Sequence, residues 1–198
     1  MHDRIMSLYE DHALAWDRQR GRGLIEKAWL DRFAALLPED GAILDIGCGS
    51  GEPIARYLIE RGFAVTGVDS SRTLIGLCRE RFPDQEWVAA DMRGLDLDRT
   101  FDGILAWHSL SHLAADDQRA MFPRFAALAK PKAALMFTSG DEAGEAIGEW
   151  QGEPLFHASL DPEEYETLLR AHGFAVVERR LGDPECGGAS VWLATRSS

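Results

Sequence analysis

The sequence predicts an α/β fold that is doubly wound around a mostly parallel sheet. After a turn-like run at residues 38–41, short apolar segments alternate with helical segments, which is the pattern of βαβ units. The 198 residues, 45% of them hydrophobic, also suffice to bury the core of one domain. We therefore expect a single domain over residues 1–198, with helices on both faces of the sheet.

The N-terminal residues 1–37 have the periodicity of helices and are expected to form a helical cap. One stripe of apolar and aromatic side chains runs over residues 8–16 and a second over residues 24–37. Gly21 and Gly23 lie between the two stripes. Because glycine is a poor helix former, they predict a boundary between two helices.

The strands are placed where apolar runs lie between turn residues. We predict strands near Ala42–Ile46, Ala64–Val68, Glu86–Ala90, Phe101–Trp107, Ala133–Thr138, Phe174–Arg180 and Ser190–Thr195. Helices are predicted between them at Pro53–Arg61, Ser71–Arg81 and Asp116–Ala129, and Pro123 is expected to kink or shorten the last of these. Asp161, Pro162 and Glu164 predict the start of a further helix that ends near Gly173.

Residues 140–160 contain four glycines together with Trp150, Phe156 and His157. This mixture is too irregular to predict a helix or a strand. We interpret the segment as a functional loop or lid, inserted on the substrate side of the domain.

Composition excludes several classes of function. A formal charge of −12 and an isoelectric point near 4.9 disfavour binding to nucleic acid or to anionic lipid. Cys48, Cys78 and Cys186 are widely spaced and indicate reduced thiols. No apolar run resembles a signal peptide or a membrane span, so we expect a cytoplasmic protein, either a monomer or a homodimer.

A glycine-rich turn follows the first predicted strand. Gly47, Gly49 and Gly51 allow a tight turn whose backbone comes close to a ligand at the start of a helix. The dinucleotide fingerprint requires glycine one position after Gly51, where this chain has Glu52. The spacing therefore favours a nucleotide-like cofactor that lacks a pyrophosphate.

Acidic residues follow three successive strands. Asp45 beside the turn would repel a pyrophosphate but suits a cationic ligand. Asp69 can accept hydrogen bonds from two ribose hydroxyls, and Asp91 from an adenine amino group, with Met92 able to pack on the ring. The alternative is that each aspartate only caps a helix or lies in a solvated loop.

These motifs resemble those of class I methyltransferases, which use S-adenosylmethionine. The resemblance rests on the acidic-glycine motif at residues 45–51, on Asp69 and on Asp91, and it continues through residues 101–107 and 110–113. It covers the chain from about Leu37 to Thr195.

The resemblance implies a seven-stranded sheet with an antiparallel last strand, S-adenosylmethionine as cofactor and S-adenosylhomocysteine as product. In such families the N-terminal segment often closes over the cofactor. The implied cofactor contacts are Tyr9, Trp16, Asp45, Gly47, Cys48, Gly49, Gly51, Asp69, Ser70, Asp91, Met92, Trp107 and His112.

Methyl transfer needs a base only when the nucleophile carries a proton. The candidate bases are His108, at the end of the fourth strand, and His157, in the irregular segment. His108 and His112 are four residues apart but have no glutamate between them, so we predict no metal site. Each histidine can instead be a structural hydrogen-bonding group. For His112 we favour this interpretation or a contact with the edge of the cofactor.

The acceptor is expected to be a small molecule. The Asn- or Asp-Pro-Pro-aromatic motif of nucleic-acid base methyltransferases is missing after the fourth strand, and the chain contains no asparagine. Arg18, Arg20 and Arg22 either attract an anionic acceptor or form a solvated face, and we favour the solvated face. Two alternatives are an NAD(P)-dependent reductase, disfavoured because no Tyr-x-x-x-Lys pair occurs, and a non-catalytic cofactor-binding regulatory or partner-binding protein.

Overall fold

The computed structural model describes residues 4–198, which form one seven-stranded sheet and a separate two-stranded hairpin. The sheet strands are β1 (Ala42–Ile46), β2 (Ala64–Asp69), β3 (Glu86–Ala89), β4 (Phe101–Ala106), β5 (Ala129–Ser139), β8 (Phe174–Asp183) and β9 (Ala189–Arg196). The hairpin strands are β6 (Gly144–Trp150) and β7 (Glu153–Ser159).

The strand order in the sheet is β3-β2-β1-β4-β5-β9-β8. The pairs from β3 to β5 are parallel, whereas β9 runs antiparallel to both β5 and β8. This arrangement confirms the doubly wound sheet with an antiparallel last strand. The chain order reverses between β1 and β4, and open α/β sheets bind ligands at such a reversal, beyond the carboxyl ends of the strands.

Helices cover both faces of the sheet. They are α1 (Arg4–Asp11), α2 (Ala13–Arg20), α3 (Lys27–Ala34), α4 (Ile54–Glu60), α5 (Arg72–Arg81), α6 (Ala115–Leu128) and α7 (Pro162–Ala171). Alternate strand residues point to opposite sides, so Ile104 packs with Phe122 of α6 while Leu105 packs in the core that contains Phe33 of α3. None of the helices within residues 4–198 is both long and apolar enough to cross a membrane.

The N-terminal cap contains three helices, so the prediction of two was wrong. The chain leaves the helical conformation at His12, where φ is −112° and ψ is 18°, and α2 begins at the next residue. The side chain of His12 lies 3.3 Å from Glu153 of the hairpin. A break of one residue leaves the spacing of apolar side chains almost unchanged, which is why periodicity did not reveal it.

The segment interpreted as an irregular loop is an antiparallel β-hairpin. Strand β6 pairs with β7 along its whole length, from Gly144 opposite Ser159 to Trp150 opposite Glu153. Most of β6 is exposed and apolar residues are few in it, so the alternation that marks a half-buried strand is missing from its sequence.

The helix start predicted at Asp161 is confirmed, and the predicted shortening of α6 at Pro123 is absent. The Asp161 carboxylate accepts a hydrogen bond from the Glu163 amide, and at the start of α5 the Ser71 hydroxyl accepts one from the Leu74 amide. The carboxylate of Glu164 pairs with Arg119 instead of closing a capping box. Helix α6 continues through Pro123 for its full 14 residues, so the proline does not shorten it.

Candidate active site

A cavity of about 670 Å³ opens beyond the carboxyl ends of β1, β2 and β4. Its volume is in the range of small-molecule sites. The glycine-rich turn forms one side, α1 and α2 form a second, and the hairpin forms a third. All the predicted cofactor contacts except Gly51 line it, namely Tyr9, Trp16, Asp45, Gly47, Cys48, Gly49, Asp69, Ser70, Asp91, Met92, Trp107 and His112.

At two positions of the turn only glycine fits, because a side chain would clash with a neighbour and because the backbone has a positive φ. Gly47 has φ of +81°, and a Cβ there would lie 2.2 Å from Cβ of Ser109. Gly49 has φ of +57°, and a Cβ there would lie 2.3 Å from the Trp16 ring. The turn therefore packs against the loop after β4 and against α2 with no space for side chains.

Gly51 lies behind the turn rather than at the cavity wall. A Cβ at this position would lie 2.8 Å from the Phe82 ring and 3.5 Å from Sγ of Cys78. The Cys78 thiol donates to the Gly49 carbonyl at 3.2 Å, and burial raises the pKa of the nearby Cys48 thiol. Gly51 therefore serves the packing beneath the turn.

Asp69 connects the glycine-rich turn to the start of α5. One carboxylate oxygen accepts from the Gly49 amide at 3.0 Å, and the other accepts from the Ser71 amide at 2.9 Å. Each oxygen can accept a second hydrogen bond. Asp69 thus presents two oriented acceptors to a diol, as the predicted ribose contact requires.

Asp45 is a buried acid with 3% of its surface exposed. No group within residues 4–198 hydrogen-bonds to its carboxylate, and burial together with the charge of Asp69 raises its pKa to about 7. Two carboxylates in one desolvated wall repel each other, so a cationic ligand would stabilise both. The ammonium group of S-adenosylmethionine meets this requirement, so the wall fits that cofactor.

Asp91 is also at the cavity, but its carboxylate is already engaged. Arg93 donates to it from the backbone at 2.9 Å and from its guanidinium at 2.7 Å. Arg93 additionally reaches Asp117 at 3.5 Å. The arginine orients the predicted adenine acceptor, and Met92 lines the cavity beside it.

The two predicted bases, His108 and His157, both line the cavity, and the charge of His157 acts on His108. His108 has φ of +50°, and its amide donates to the Thr138 hydroxyl at 2.8 Å. Its side chain is open to the cavity, where desolvation by the walls and the positive charge of Arg20 lower its pKa. Burial also lowers the pKa of His157. Both imidazoles are therefore neutral near pH 7 and able to accept a proton.

His112 is fixed by hydrogen bonds on both ring nitrogens. Nδ1 lies 3.0 Å from the Phe156 carbonyl, which only accepts, so this nitrogen carries the proton. Nε2 then accepts from the Tyr9 hydroxyl at 2.9 Å. Burial lowers the pKa of His112 to about 4 and, with the charge of Asp69, raises that of Tyr9 to about 12. His112 lines the cavity as a neutral structural group.

Further contacts hold the N-terminal helices against the hairpin. The Tyr9 ring stacks on Trp150 with centroids 5.4 Å apart, and the Trp150 indole donates to Gln19 at 2.8 Å. Glu153 pairs with Arg4 at 3.5 Å. These contacts close the cavity between α1 and the hairpin.

The same helices are attached to the cofactor side of the cavity. Glu10 accepts from the Ser71 hydroxyl at 2.5 Å and from the Thr73 hydroxyl at 2.9 Å. Asp17 forms an ion pair with Arg81 at 2.7 Å and accepts from Ser50 at 2.5 Å. Hydrogen bonding to Arg81 and Ser50 holds the pKa of Asp17 well below its usual range.

Sequence reasoning missed several residues that build this site. Ser109 and Thr138 have no recognisable motif, since their importance comes from contacts between separate loops. Trp150 lies in the segment interpreted as irregular. Arg20 was placed on a solvated face, but it lines the cavity, whereas Arg18 and Arg22 of that basic run are exposed as predicted. Within residues 4–198 no cluster of three or more metal-ligating side chains occurs.

Comparison with known proteins identifies the family. The model of the methyltransferase domain family matches residues 16–179, which is most of the chain. A putative methyltransferase of Bacillus subtilis, YqeM, is 30% identical over 136 residues, which are 66% of this chain and 54% of that protein. The trans-aconitate 2-methyltransferase of Escherichia coli O157:H7 is 30% identical over 155 residues, or 77% and 59% of the respective chains. The chain thus spans little more than half the length of these relatives.

Solved structures share the fold at lower identity. The 1,6-didemethyltoxoflavin-N1-methyltransferase of Burkholderia thailandensis has a TM-score of 0.75 at 23% identity, covering 100% of this chain and 87% of that one. The amino pentose methyltransferase CalS10 of Micromonospora echinaspora has a TM-score of 0.72 at 22% identity, with 92% and 95% covered. With the family match over residues 16–179 and this sheet topology, the chain belongs to the class I S-adenosylmethionine-dependent methyltransferases.

Proposed function

We propose that this protein transfers a methyl group from S-adenosylmethionine to a small-molecule acceptor, with His108 as the general base when the nucleophile carries a proton. The observation that supports this most directly is that one cavity joins the acidic wall of Asp45 and Asp69 to the neutral imidazoles of His108 and His157. A cation site and a proton acceptor therefore face the same cavity.

The acidic wall and the glycine-rich turn hold the cofactor. Asp45 pairs with its ammonium group and Asp69 accepts from its ribose hydroxyls, while Gly49 leaves space for close approach of the backbone. The bound cofactor supplies an activated methyl group on a sulfonium. The chain itself therefore has to align the nucleophile, exclude water and receive one proton.

His108 is suited to receive that proton. Its lowered pKa keeps the imidazole neutral at pH 7, and the hydrogen bond from its amide to Thr138 fixes the backbone that carries it. His157 lines the same end and can bind the acceptor or take the second place in proton transfer. His112 has no free nitrogen for this role because Tyr9 and Phe156 occupy both.

The cavity supports an acceptor of modest size. The cofactor and the acceptor have to share about 670 Å³, and α1 together with the hairpin forms part of the wall around that space. The relatives from Escherichia coli carry a small-molecule acceptor, trans-aconitate, in their name. We take this as support for the same broad class of acceptor here.

Calorimetry with S-adenosylhomocysteine, NADH and ATP tests the cofactor. We expect that only S-adenosylhomocysteine binds. A preference for NADH or ATP would overturn the proposal. Asp69→Ala should lose most of that affinity, because it removes both oriented acceptors.

A screen of small-molecule acceptors with radiolabelled S-adenosylmethionine tests the transfer. With an acceptor that loses a proton, His108→Ala should lower turnover about 100-fold while S-adenosylhomocysteine affinity stays unchanged. Unchanged turnover would reject His108 as the base. A screen without any labelled product, with cofactor binding intact, would favour the non-catalytic alternative.

A further inference from the structure

Two arginines contribute to the cavity wall within residues 4–198, and they have different neighbours. Arg93 is engaged by Asp91 and Asp117 beside the predicted adenine contact. Arg20 lines the same cavity close enough to His108 for its charge to lower the pKa of that imidazole. Arg20 is thus the cation nearest to the place where a nucleophile would lose its proton.

Arg20 is held in place by a buried partner. Its guanidinium donates to the Gly23 carbonyl at 3.3 Å and to Oε1 of Glu26, whose side chain is completely buried. Oε2 of Glu26 has no hydrogen-bond partner in the part of the chain from residue 4 onward. A guanidinium has five N–H donors, so these two contacts leave others for a ligand in the cavity.

We propose that Arg20 binds a carboxylate group of the methyl acceptor, with Glu26 as the residue that positions it. This inference rests on the proposed function, because it concerns the second substrate of the same cavity. A guanidinium offers paired donors in a plane that matches a carboxylate, and it stays charged at any physiological pH. A carboxylate held there would bring the rest of the acceptor next to His108.

The glutamates of the cavity wall favour Arg20 as the recognition element. Glu52 pairs with Arg56, whereas Glu142 and Glu145 would suit an amine. Both are exposed on the hairpin side, where water and salt screen their charge. The side chain of Arg20 is 23% exposed, so water competes less for the N–H donors that Glu26 and Gly23 leave free.

The experiment measures discrimination between matched pairs of probes. Benzoate and succinate are compared with benzamide and succinamide by ligand-observed NMR, with and without saturating S-adenosylhomocysteine. We expect each carboxylate to bind about tenfold more tightly than its amide. In the variant Arg20→Gln/Glu26→Gln that ratio should fall to about one. The double substitution removes both charges, so no carboxylate is left buried without a counter-ion.

Arg18→Gln is the matched control, since it removes an exposed arginine of the same helix and should keep the ratio. A loss of folding would lower binding of amides and carboxylates alike, whereas the loss of an Arg20 contact affects only the carboxylates. Circular dichroism and unchanged affinity for S-adenosylhomocysteine confirm that the double variant is folded.

Three results would overturn the inference. They are equal binding of carboxylates and amides, a preference that survives in the double variant, and absence of carboxylate binding at millimolar concentration. Stronger binding of benzylamine that is lost in Glu142→Gln/Glu145→Gln would assign an amine acceptor instead. Failure of S-adenosylhomocysteine to bind would reject the proposed function, while the measurements without it still decide the role of Arg20.

Discussion

The Tyr9 hydroxyl donates a hydrogen bond to Nε2 of His112, 2.9 Å away, because Nδ1 of that ring already donates to the Phe156 carbonyl. One imidazole thereby joins α1 to the loop after β4 and to the hairpin. This connection attaches the N-terminal side of the cavity wall to the rest of the domain.

Tyr9→Phe should weaken the closure without disturbing the sheet. The substitution leaves Nε2 of His112 without its donor in a buried place, at a cost of about 1–3 kcal/mol. Hydrogen exchange should become faster in α1 and in the hairpin, and S-adenosylhomocysteine should dissociate faster. Tyr57→Phe, at a tyrosine outside the cavity, is the control and should leave both rates unchanged. If exchange became faster only in the sheet, the proposed role of the Tyr9 hydroxyl in holding α1 and the hairpin would be wrong.

Acid should destabilise the protein through His112. Its folded-state pKa is about 4 and its ordinary value is 6.5, so the unfolded chain binds the proton first. The stability due to the neutral ring is complete above pH 6.5 and is lost as pH falls toward 4. In urea denaturation at several pH values, the free energy of unfolding should fall less steeply with decreasing pH in His112→Gln than in the natural protein. Parallel curves for the two proteins would exclude this role.

Asp45→Asn should raise the stability of the cofactor-free protein and weaken cofactor binding. The folded-state pKa of Asp45 is raised to about 7, so its effect favours folding at low pH and is lost as pH rises from 3.8 to 7. Above pH 7 the natural chain keeps a buried charge without a partner, and the variant does not. Thermal denaturation at pH 8 should therefore give a higher midpoint for the variant.

The same carboxylate should make cofactor binding depend on pH. A cationic ammonium group binds the ionised acid, so affinity for S-adenosylhomocysteine should rise as pH increases through about 7 and then level off. Calorimetry should show this rise in the natural protein and in Asp96→Asn, an exposed control, but not in Asp45→Asn. If the affinity still rises with pH in Asp45→Asn, a group other than Asp45 loses the proton that controls binding.

Gly49→Ala should displace Trp16. A Cβ at Gly49 would lie 2.3 Å from the ring, and the positive φ adds backbone strain, so we expect a loss of about 1–3 kcal/mol and weaker cofactor binding. In the double variant Gly49→Ala/Trp16→Ala part of this loss should be recovered, because the new Cβ no longer meets the Trp16 ring. Gly94→Ala, which meets no atom within 4 Å, is the control. Strict additivity of the two changes would show that Trp16 and Gly49 do not interact.

Local patterns sufficed to predict the sheet and the residues that line the cavity beside β1 and β2. Asp45, Asp69 and the glycine turn are adjacent to strands in sequence, so the rule that ligands bind at strand ends led to the cavity that they line, while their contacts with the cofactor stay predictions. Gly51 is part of the same motif but faces Cys78 and Phe82, since periodicity within a turn does not show which side faces the ligand.

The acceptor side depends on contacts between distant segments. Thr138 fixes the backbone of His108 from a strand 30 residues later, and Trp150 stacks on Tyr9 from the hairpin. Arg20 was assigned to a solvated face because a lone basic run has no feature that indicates a buried counter-ion such as Glu26. Such pairings arise only when the chain is folded.

Helix α1 contacts two separate parts of the protein around the cavity through neighbouring residues. Glu10 holds Ser71 and Thr73 at the start of α5, while Tyr9 holds His112 after β4 and Trp150 of the hairpin. A ligand that orders this helix from one end lowers the entropic cost of ordering it from the other. This coupling through the helix adds to whatever coupling the two substrates have by direct contact, and reciprocity makes each promote the binding of the other by the same factor.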